Sequence, residues 1–215
     1  MTQPVAVDRP GGEGRSARKR REIMEAATTL FLRNGYLGTS MDEVAAQAAV
    51  SKQTVYKHFA DKEGLFTDIV LGVTGVAGEF IDEVVRTLPD SDDLEADLVA
   101  LGRRYVAAVM RPEVLQTRRL LVGESARFPE LARAYYERAP ERTIAALASA
   151  FGRLAERGLL RVDDRRLAAG HFAFLVLGMP LDKAMLCGDV GGFGGAELER
   201  LADAGVRAFL AAYRP

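Results

Sequence analysis

Apolar residues recur at helical spacing along the chain after residue 14. Ile23, Ala27, Leu30 and Phe31 fall at positions i, i+4, i+7 and i+8, which form one face of a helix. Similar periods continue to the end of the sequence, broken at prolines and glycines, and no segment alternates as a strand would. The pattern predicts an all-α protein of nine to ten helices.

Three potential N-cap residues divide the segment between positions 40 and 61 into short helices. Ser40 and Glu43 form a capping box, in which each side chain can bond the backbone amide of the other residue. Ser51 and Asp61 are N-cap types that begin two further helices. Two short helices joined by a tight turn are the layout of a helix-turn-helix.

The second short helix, at positions 52–58, has a divided surface. Val55 and Phe59 are one turn apart and face inward. The remaining side chains donate hydrogen bonds or carry positive charge, and none is a carboxylate: Lys52, Gln53, Thr54, Tyr56, Lys57 and His58. A solvated helix usually mixes both signs of charge. This face therefore predicts a helix in the major groove of duplex DNA, with the backbone amides that follow Ser51 facing phosphate.

Charge and composition agree with a soluble DNA-binding chain. The formal net charge is −1, yet five of the seven residues at positions 15–21 are basic. Residues 1–14 are rich in proline and glycine and are predicted to be a disordered arm. The single cysteine predicts a cytoplasmic protein without disulfides, and the longest apolar run, ten residues at 172–181, predicts no membrane span.

The chemistry of an enzyme is poorly supported. The chain has two histidines and one cysteine, too few for a histidine-rich metal site, and no Gly-x-Ser-x-Gly stretch. The sequence therefore predicts no catalytic residues, no metal and no cofactor. One non-enzymatic alternative stays open, a helical adaptor whose basic arm binds another protein.

The segment around the predicted turn resembles the N-terminal domain of TetR-family transcriptional repressors. The resemblance covers residues 18–66 and rests on the pattern Asn34-Gly35-Tyr36-x-x-Thr39-Ser40-Met41-x-x-Val44-Ala45-x-x-Ala48-x-Val50-Ser51-Lys52-x-Thr54-Val55-Tyr56-x-His58-Phe59-x-Asp61-Lys62-Glu63-x-Leu65. Ala49 stands where the family usually has glycine, and we expect it to keep a negative φ. Gln53 stands where glycine or proline is frequent, and could add a base contact.

The resemblance implies roles for matching residues. Thr54, Tyr56 and His58 correspond to contacts of the recognition helix, and Thr39, Tyr56 and Lys62 correspond to phosphate contacts. The N-terminal arms of the family approach the DNA backbone or minor groove with residues at the positions of Arg18, Lys19 and Arg20. The implied helix-turn-helix domain spans residues 15–66.

The rest of the chain, residues 67–215, is then a helical bundle that binds an effector and forms a homodimer. Two segments, 121–132 and 158–164, resemble the C-terminal domain of the AefR-like subgroup of TetR proteins. The resemblance implies a repressor that a small-molecule effector releases from a palindromic operator in double-stranded DNA. The apolar and aromatic character of the candidate effector residues named below suggests a small lipophilic effector. The effector would act by moving the fourth helix, from Lys62 to about Leu88. A TetR-like activator is the alternative, since the sequence does not separate repression from activation.

Two sets of residues in this bundle are candidates for binding. Apolar and polar positions near one another predict the effector site, with the members Met110, Leu115, Leu121, Phe128, Tyr135, His171 and Phe174. Apolar stripes on the last two long helices predict the dimer interface, with the members Phe172, Leu175, Gly178, Met179, Leu198, Leu201, Gly205, Phe209 and Leu210. The same stripes could instead form an intramolecular core, because periodicity identifies a buried face without naming what covers it.

Overall fold

A computed structural model describes residues 14–188 and 192–215, and within these ranges all regular structure is helical. The α-helices are α1 (Arg15–Asn34), α2 (Met41–Gln47), α3 (Lys52–His58), α4 (Lys62–Gly72), α5 (Gly75–Thr87), α6 (Leu94–Val109), α7 (Pro112–Glu124), α8 (Pro129–Tyr136), α9 (Arg142–Glu156), α10 (Arg165–Cys187) and α11 (Gly195–Tyr213). Only residues 73–74 separate α4 from α5, and a π-helical turn, Glu137–Glu141, joins α8 to α9. When each of those pairs is counted as one helix, the described ranges contain nine helices. The predicted all-α fold is therefore confirmed. The predicted disordered arm lies almost wholly outside the described residues.

The chain divides into two compact units, and the division falls within α4, after Ile69. The sequence analysis set its boundary at Phe66, also within α4. In the first unit, α1 to α4 bury an apolar core that includes Ile23, Val44 and Val55. The rings of Phe31 and Phe66 meet edge to face at 5.3 Å in the same core.

The three predicted N-caps are confirmed. The Ser40 hydroxyl accepts the Glu43 amide at 3.2 Å, and the Glu43 carboxylate accepts the Ser40 amide at 2.8 Å. The Ser40 hydroxyl also donates to the Glu43 carboxylate at 2.8 Å, and this bond, together with the one from the Ser40 amide, holds the pKa of the Glu43 carboxyl below its ordinary value. The nearby charge of Lys62 adds to the effect. Ser51 caps α3 through the Thr54 amide, and Asp61 accepts the amide of Gly64 in the first turn of α4.

The second unit is organised around three buried phenylalanines. Phe151, Phe172 and Phe209 lie with ring centroids 5.0–5.6 Å apart and have no exposed surface. Tyr213 stacks on Phe209 at 4.6 Å. These rings come from α9, α10 and α11, so the three helices share one core.

Several positions predicted for the dimer interface belong to this core instead. Phe172, Phe209 and Leu210 are buried within one protomer, Gly205 lies at the contact with α10, and Leu198 packs against the core from its edge. Leu201 is half-buried. The prediction was wrong for the buried residues because α6 and α10 cover the apolar stripe of α11, while Phe172 of α10 packs against rings of α9 and α11.

Two helical stretches are long and apolar enough to span a membrane by length and composition, Lys62–Val84 and Arg165–Cys187. The first is divided into α4 and α5, and the second buries Ala168, Phe172 and Val176 in the protein core. Core helices commonly meet the same criteria, and packing accounts for the apolar residues on the buried side of α10.

Candidate DNA interface, effector cavity and dimer face

The turn between α2 and α3 is a Schellman motif that contains one strained residue. The amide of Val50 donates to the carbonyl of Ala45 at 3.0 Å, and the amide of Ala49 donates to Ala46 at 3.2 Å. This pattern requires a left-handed backbone at the residue just beyond the end of the helix. That residue is Ala49, and its φ is 51°. The expectation that Ala49 keeps a negative φ is therefore wrong, because the bonds that end α2 fix the turn.

We expect the substitution Ala49→Gly to stabilise the first unit. A left-handed alanine costs about 1–2 kcal/mol, and the greater freedom of glycine in the unfolded chain offsets part of the gain, which leaves about 0.5–1 kcal/mol. Urea denaturation measures this change. The matched control is Ala48→Gly, where φ is −79° and glycine should lower the free energy of unfolding. A lower free energy of unfolding in Ala49→Gly would contradict the claim that the backbone at Ala49 is strained.

Helix α3 presents a continuous polar surface. Lys52, Gln53, Tyr56 and Lys57 are exposed, and Tyr56 has 45% of its surface free. Thr54 and His58 are half-buried at the edge, while Val55 is fully buried. No carboxylate lies on the helix. We call Lys52, Gln53, Thr54, Tyr56, Lys57 and His58 the recognition face.

The two lysines of the recognition face differ in their surroundings. The Lys52 ammonium lies 2.7 Å from the Asp42 carboxylate of α2, and the hydrogen bond that it donates to this carboxylate raises the pKa of Lys52. Lys57 forms no ion pair with any described residue. Its charge is therefore the one on the recognition face that is available to phosphate without breaking an internal contact.

Lys62 and Thr39, which the resemblance assigns to phosphate, are engaged within the protein. The Lys62 ammonium donates to the carbonyls of Tyr36 and Thr39 at 2.9 and 2.8 Å and lies 4.3 Å from the Tyr36 ring centre. Thr39 is 2% exposed, and its hydroxyl donates to the Gly35 carbonyl. The expectation for the Thr39 side chain is wrong because that side chain is buried. Lys62 is a positioning residue that ties the loop after α1 to the start of α4.

The basic residues of the first turns of α1 also have distinct roles. The Arg18 guanidinium lies 3.4 Å from Glu22, and Lys19 is half-buried. The guanidinium of Arg20 lies 2.7 Å from Asp68 and 4.9 Å from the ring centre of Phe59. Arg20 therefore links α1 to α4, and its contact with DNA stays a prediction.

A cavity in the second unit is the candidate effector site. Its walls come from the residue after α4 and from α5, α6, α7, α8, the π-helical turn and α9. The lining residues are Val73, Ala77, Phe80, Tyr105, Ala108, Val109, Val114, Arg118, Tyr135, Ala139, Pro140 and Thr143. The cavity leaves about 60 Å³ for the centres of water molecules, which is room for only a few waters. We call it the inner cavity.

Only one member of the predicted effector set lines the inner cavity, Tyr135. Leu121 lines a shallower neighbouring groove together with Tyr135. His171 and Phe174 lie on the exposed face of α10, and the imidazole Nδ1 of His171 is 2.6 Å from the Tyr213 hydroxyl. The remaining predicted positions line neither space: Met110, Leu115 and Phe128. These five positions lie outside the candidate cavity because helix faces that look alike in sequence point in different directions, and their effector role stays a prediction.

Two polar groups of the inner cavity, Arg118 and Tyr105, were not predicted from the sequence. Arg118 lies one turn from Val114 and from Leu121, both on the buried side of α7. The signal in the sequence that could have identified Arg118 was a positively charged residue at helical spacing from buried apolar residues. Burial raises the pKa of the Tyr105 phenol to about 12, and the charge of Arg118 opposes part of that rise.

The outward side of α10 is a large apolar surface, which we call the α10 face. Phe174 is 77% and Leu186 is 79% exposed, and Leu167, Leu175 and Met179 are exposed beside them. Gly178, also predicted for the interface, is half-buried near Phe174. In the residues that the structure describes, no group of three or more histidine, cysteine or acidic side chains is arranged to hold a metal ion.

Two models of known protein families match this chain, one in its N-terminal part and one in its C-terminal part. Residues 23–69 match the family model of bacterial regulatory proteins of the tetR family, and residues 96–215 match the C-terminal domain of AefR-like transcriptional repressors. A solved TetR-family transcriptional regulator from Mesorhizobium loti MAFF303099 is 46% identical, with a TM-score of 0.82, covering 94% of this chain and 100% of that one. The flavonoid-responsive regulator FrrA is 33% identical, with a TM-score of 0.65, covering 92% and 98%.

Among curated proteins, the transcriptional repressor KstR2 of Rhodococcus jostii RHA1 is 32% identical over 97 residues, which cover 45% of this chain and 46% of KstR2. The chain spans about half the length of the curated relatives it matches. The C-terminal family model alone covers more than half of this chain, and the Mesorhizobium structure covers nearly all of it. The chain belongs to the TetR family of bacterial transcriptional regulators, with an AefR-like C-terminal domain.

Proposed function

We propose that the chain is a sequence-specific DNA-binding repressor that a small lipophilic effector releases from its operator. The observation that carries the proposal is the recognition face, an exposed helix surface of cations, hydroxyls and amides without a carboxylate. KstR2 is named a repressor, which favours repression over activation. A regulator of this kind acts on DNA in the cytoplasm.

The proposed contacts divide by chemistry. Lys57 and the hydroxyl of Tyr56 meet phosphate, which fixes the position of α3 on the duplex. Gln53 and Thr54 lie in the N-terminal half of α3, the half that meets base edges in helix-turn-helix proteins, and a glutamine can bond adenine through two hydrogen bonds. His58 borders this set at the end of the helix.

The proposed effector site is the inner cavity. FrrA, 33% identical to this chain, is named flavonoid-responsive, which supports a small aromatic molecule as the kind of effector. Because the cavity holds only a few waters, such a molecule must push its walls apart. Val73 is one of these walls and directly follows α4, the helix that begins at Lys62. The effector lowers DNA affinity only if it binds one conformation of this wall more tightly than the other.

The α10 face is the proposed dimer interface. Large contiguous apolar patches on the surface of a soluble chain mark sites that another molecule covers. If that molecule is a second copy of the chain, the dimer presents two recognition helices to DNA half-sites about 34–36 Å apart. Leu175, Met179 and Gly178 from the predicted set lie on or beside this face.

We expect Phe174→Glu to convert the dimer to a monomer at micromolar concentration. The change places a carboxylate from each protomer in an apolar interface, where desolvating an unpaired charge is costly. Sedimentation velocity measures the oligomeric state. The matched control is Val122→Glu, an exposed apolar side chain on α7. A dimer that persists in Phe174→Glu would place the interface elsewhere.

The test of the proposed function is binding of the full chain to duplexes from the DNA upstream of its own gene, followed by fluorescence anisotropy. We expect one duplex to bind more tightly than a scrambled duplex of the same composition. Counterion release predicts a fall in affinity of about a thousandfold or more between about 50 and 200 mM salt, if six or more phosphates are contacted. Absence of any salt-dependent duplex binding would favour the adaptor alternative.

A further inference from the structure

The inner cavity contains a cation without a carboxylate partner. Arg118 is its one charged lining residue, and none of the other lining residues is acidic. Arg118 forms no ion pair with any residue in the described ranges, and its guanidinium carbon lies 5.9 Å from the centre of the Tyr135 ring. A ring face compensates a guanidinium charge only weakly. The site therefore has room for an anion to complete it.

A buried phenol lies in the same cavity. Tyr105 is 9% exposed, and its hydroxyl bonds no residue among those described. This hydroxyl is therefore free to donate a hydrogen bond to a ligand acceptor in the cavity. Burial raises the pKa of Tyr105 to about 12, so the phenol remains a hydrogen-bond donor at neutral pH.

The remaining walls of the inner cavity are apolar and favour a flat apolar ligand. The rings of Phe80 and Tyr105 are stacked at 4.8 Å, with an angle of 26° between their planes. Ala77, Val109 and Val114 line the space beside them. Aromatic walls with few polar groups favour a planar aromatic ligand, whose orientation is set by those polar groups.

We propose that the inner cavity binds an aromatic carboxylate, with the carboxylate on Arg118 and the Tyr105 hydroxyl and the aromatic ring against Phe80. An arginine fork can donate two parallel hydrogen bonds to a carboxylate, which a neutral lipophilic molecule cannot accept in the same way. The inference rests on the proposed function for its claim that this ligand is the effector. The binding site itself does not depend on DNA.

The test uses isothermal titration calorimetry of the full chain with 2-naphthoate and its neutral near-isostere 2-naphthamide. We expect 2-naphthoate to bind about tenfold or more tightly than the amide, since charge-assisted hydrogen bonds are about twice as strong as neutral ones. Arg118→Met should abolish this preference, and Arg118→Lys should retain part of it. Tyr105→Phe should weaken 2-naphthoate binding. Arg138→Met, the same change at an exposed arginine of the π-helical turn, should leave the preference intact.

Three results would overturn the proposal. These are equal binding of the two probes, an unchanged preference in Arg118→Met that keeps its helical circular dichroism, and no binding of 2-naphthoate up to about 1 mM, which excludes a Kd tighter than about 1 mM. The effector role is tested separately by adding 2-naphthoate to the anisotropy assay. Binding of 2-naphthoate without any change in operator affinity would leave the site in place and remove its regulatory role.

Discussion

Gly205→Ala is expected to destabilise the second unit strongly, by about 3 kcal/mol, the upper end of the usual cost of overpacking. A Cβ atom at this position would lie 2.4 Å from the carbonyl oxygen of Leu175 and 2.9 Å from the Cα of Val176. Both are backbone atoms of α10, so no side-chain rotation relieves the contact. The two helices would have to separate, which would disturb the neighbouring rings of Phe172 and Phe209.

Thermal unfolding followed by circular dichroism measures this effect, with an expected fall in Tm of roughly 6–12 °C for a unit of this size. The control is Gly78→Ala in α5, where nothing lies within 4 Å of the added methyl group. That change should raise the free energy of unfolding by about 0.5–1 kcal/mol, because alanine favours a helix over glycine. An unchanged Tm in Gly205→Ala would mean that α10 and α11 pack less closely than the structure shows.

Lys57→Glu is expected to have the largest effect on DNA binding, a loss of about 100-fold or more in affinity at low salt. Lys57 is exposed on the recognition face and has no ion pair with the described residues, so its charge is available to phosphate. The substitution replaces that attraction with repulsion in both protomers. Fluorescence anisotropy on operator and scrambled duplexes measures the loss, which should be similar for both if Lys57 meets phosphate.

The matched control for Lys57→Glu is Arg138→Glu, which makes the same change in net charge on the second unit. We expect the affinity for DNA to change by no more than about threefold in this variant, because Arg138 is not part of the recognition face and salt screens a charge that contacts no phosphate. Equal losses in the two variants would indicate a general effect of net charge. They would contradict a specific role for the recognition face.

The first unit was largely predictable because its signals are local. Ser40, Ser51 and Asp61 each bond a backbone amide three residues away, so sequence spacing alone identifies these helix starts. The helical spacing of apolar residues in the sequence also predicted which side of α3 is exposed. The φ of Ala49 could not be inferred from residue type, because the Schellman bonds of α2 override the preference of alanine for negative φ.

The second unit was predictable in class but not in detail. Periodicity identifies an apolar helix face, yet Phe172 faces the core and Phe174 faces outward on the same helix. Which of these faces meets another helix depends on contacts distant in sequence. The inner cavity likewise combines Tyr105, Arg118 and Tyr135 from three helices, and no local spacing brings these residues together.

The central claim is that two copies of α3 read a symmetric duplex through the recognition face. Selection of bound sequences by the full chain from a random duplex library tests it most directly. The account predicts an enriched inverted repeat with half-sites about one helical turn, roughly 10 base pairs, or a multiple of it apart. Recovery of no enriched sequence, or of a repeat whose enrichment is unchanged by Lys57→Glu, would contradict it.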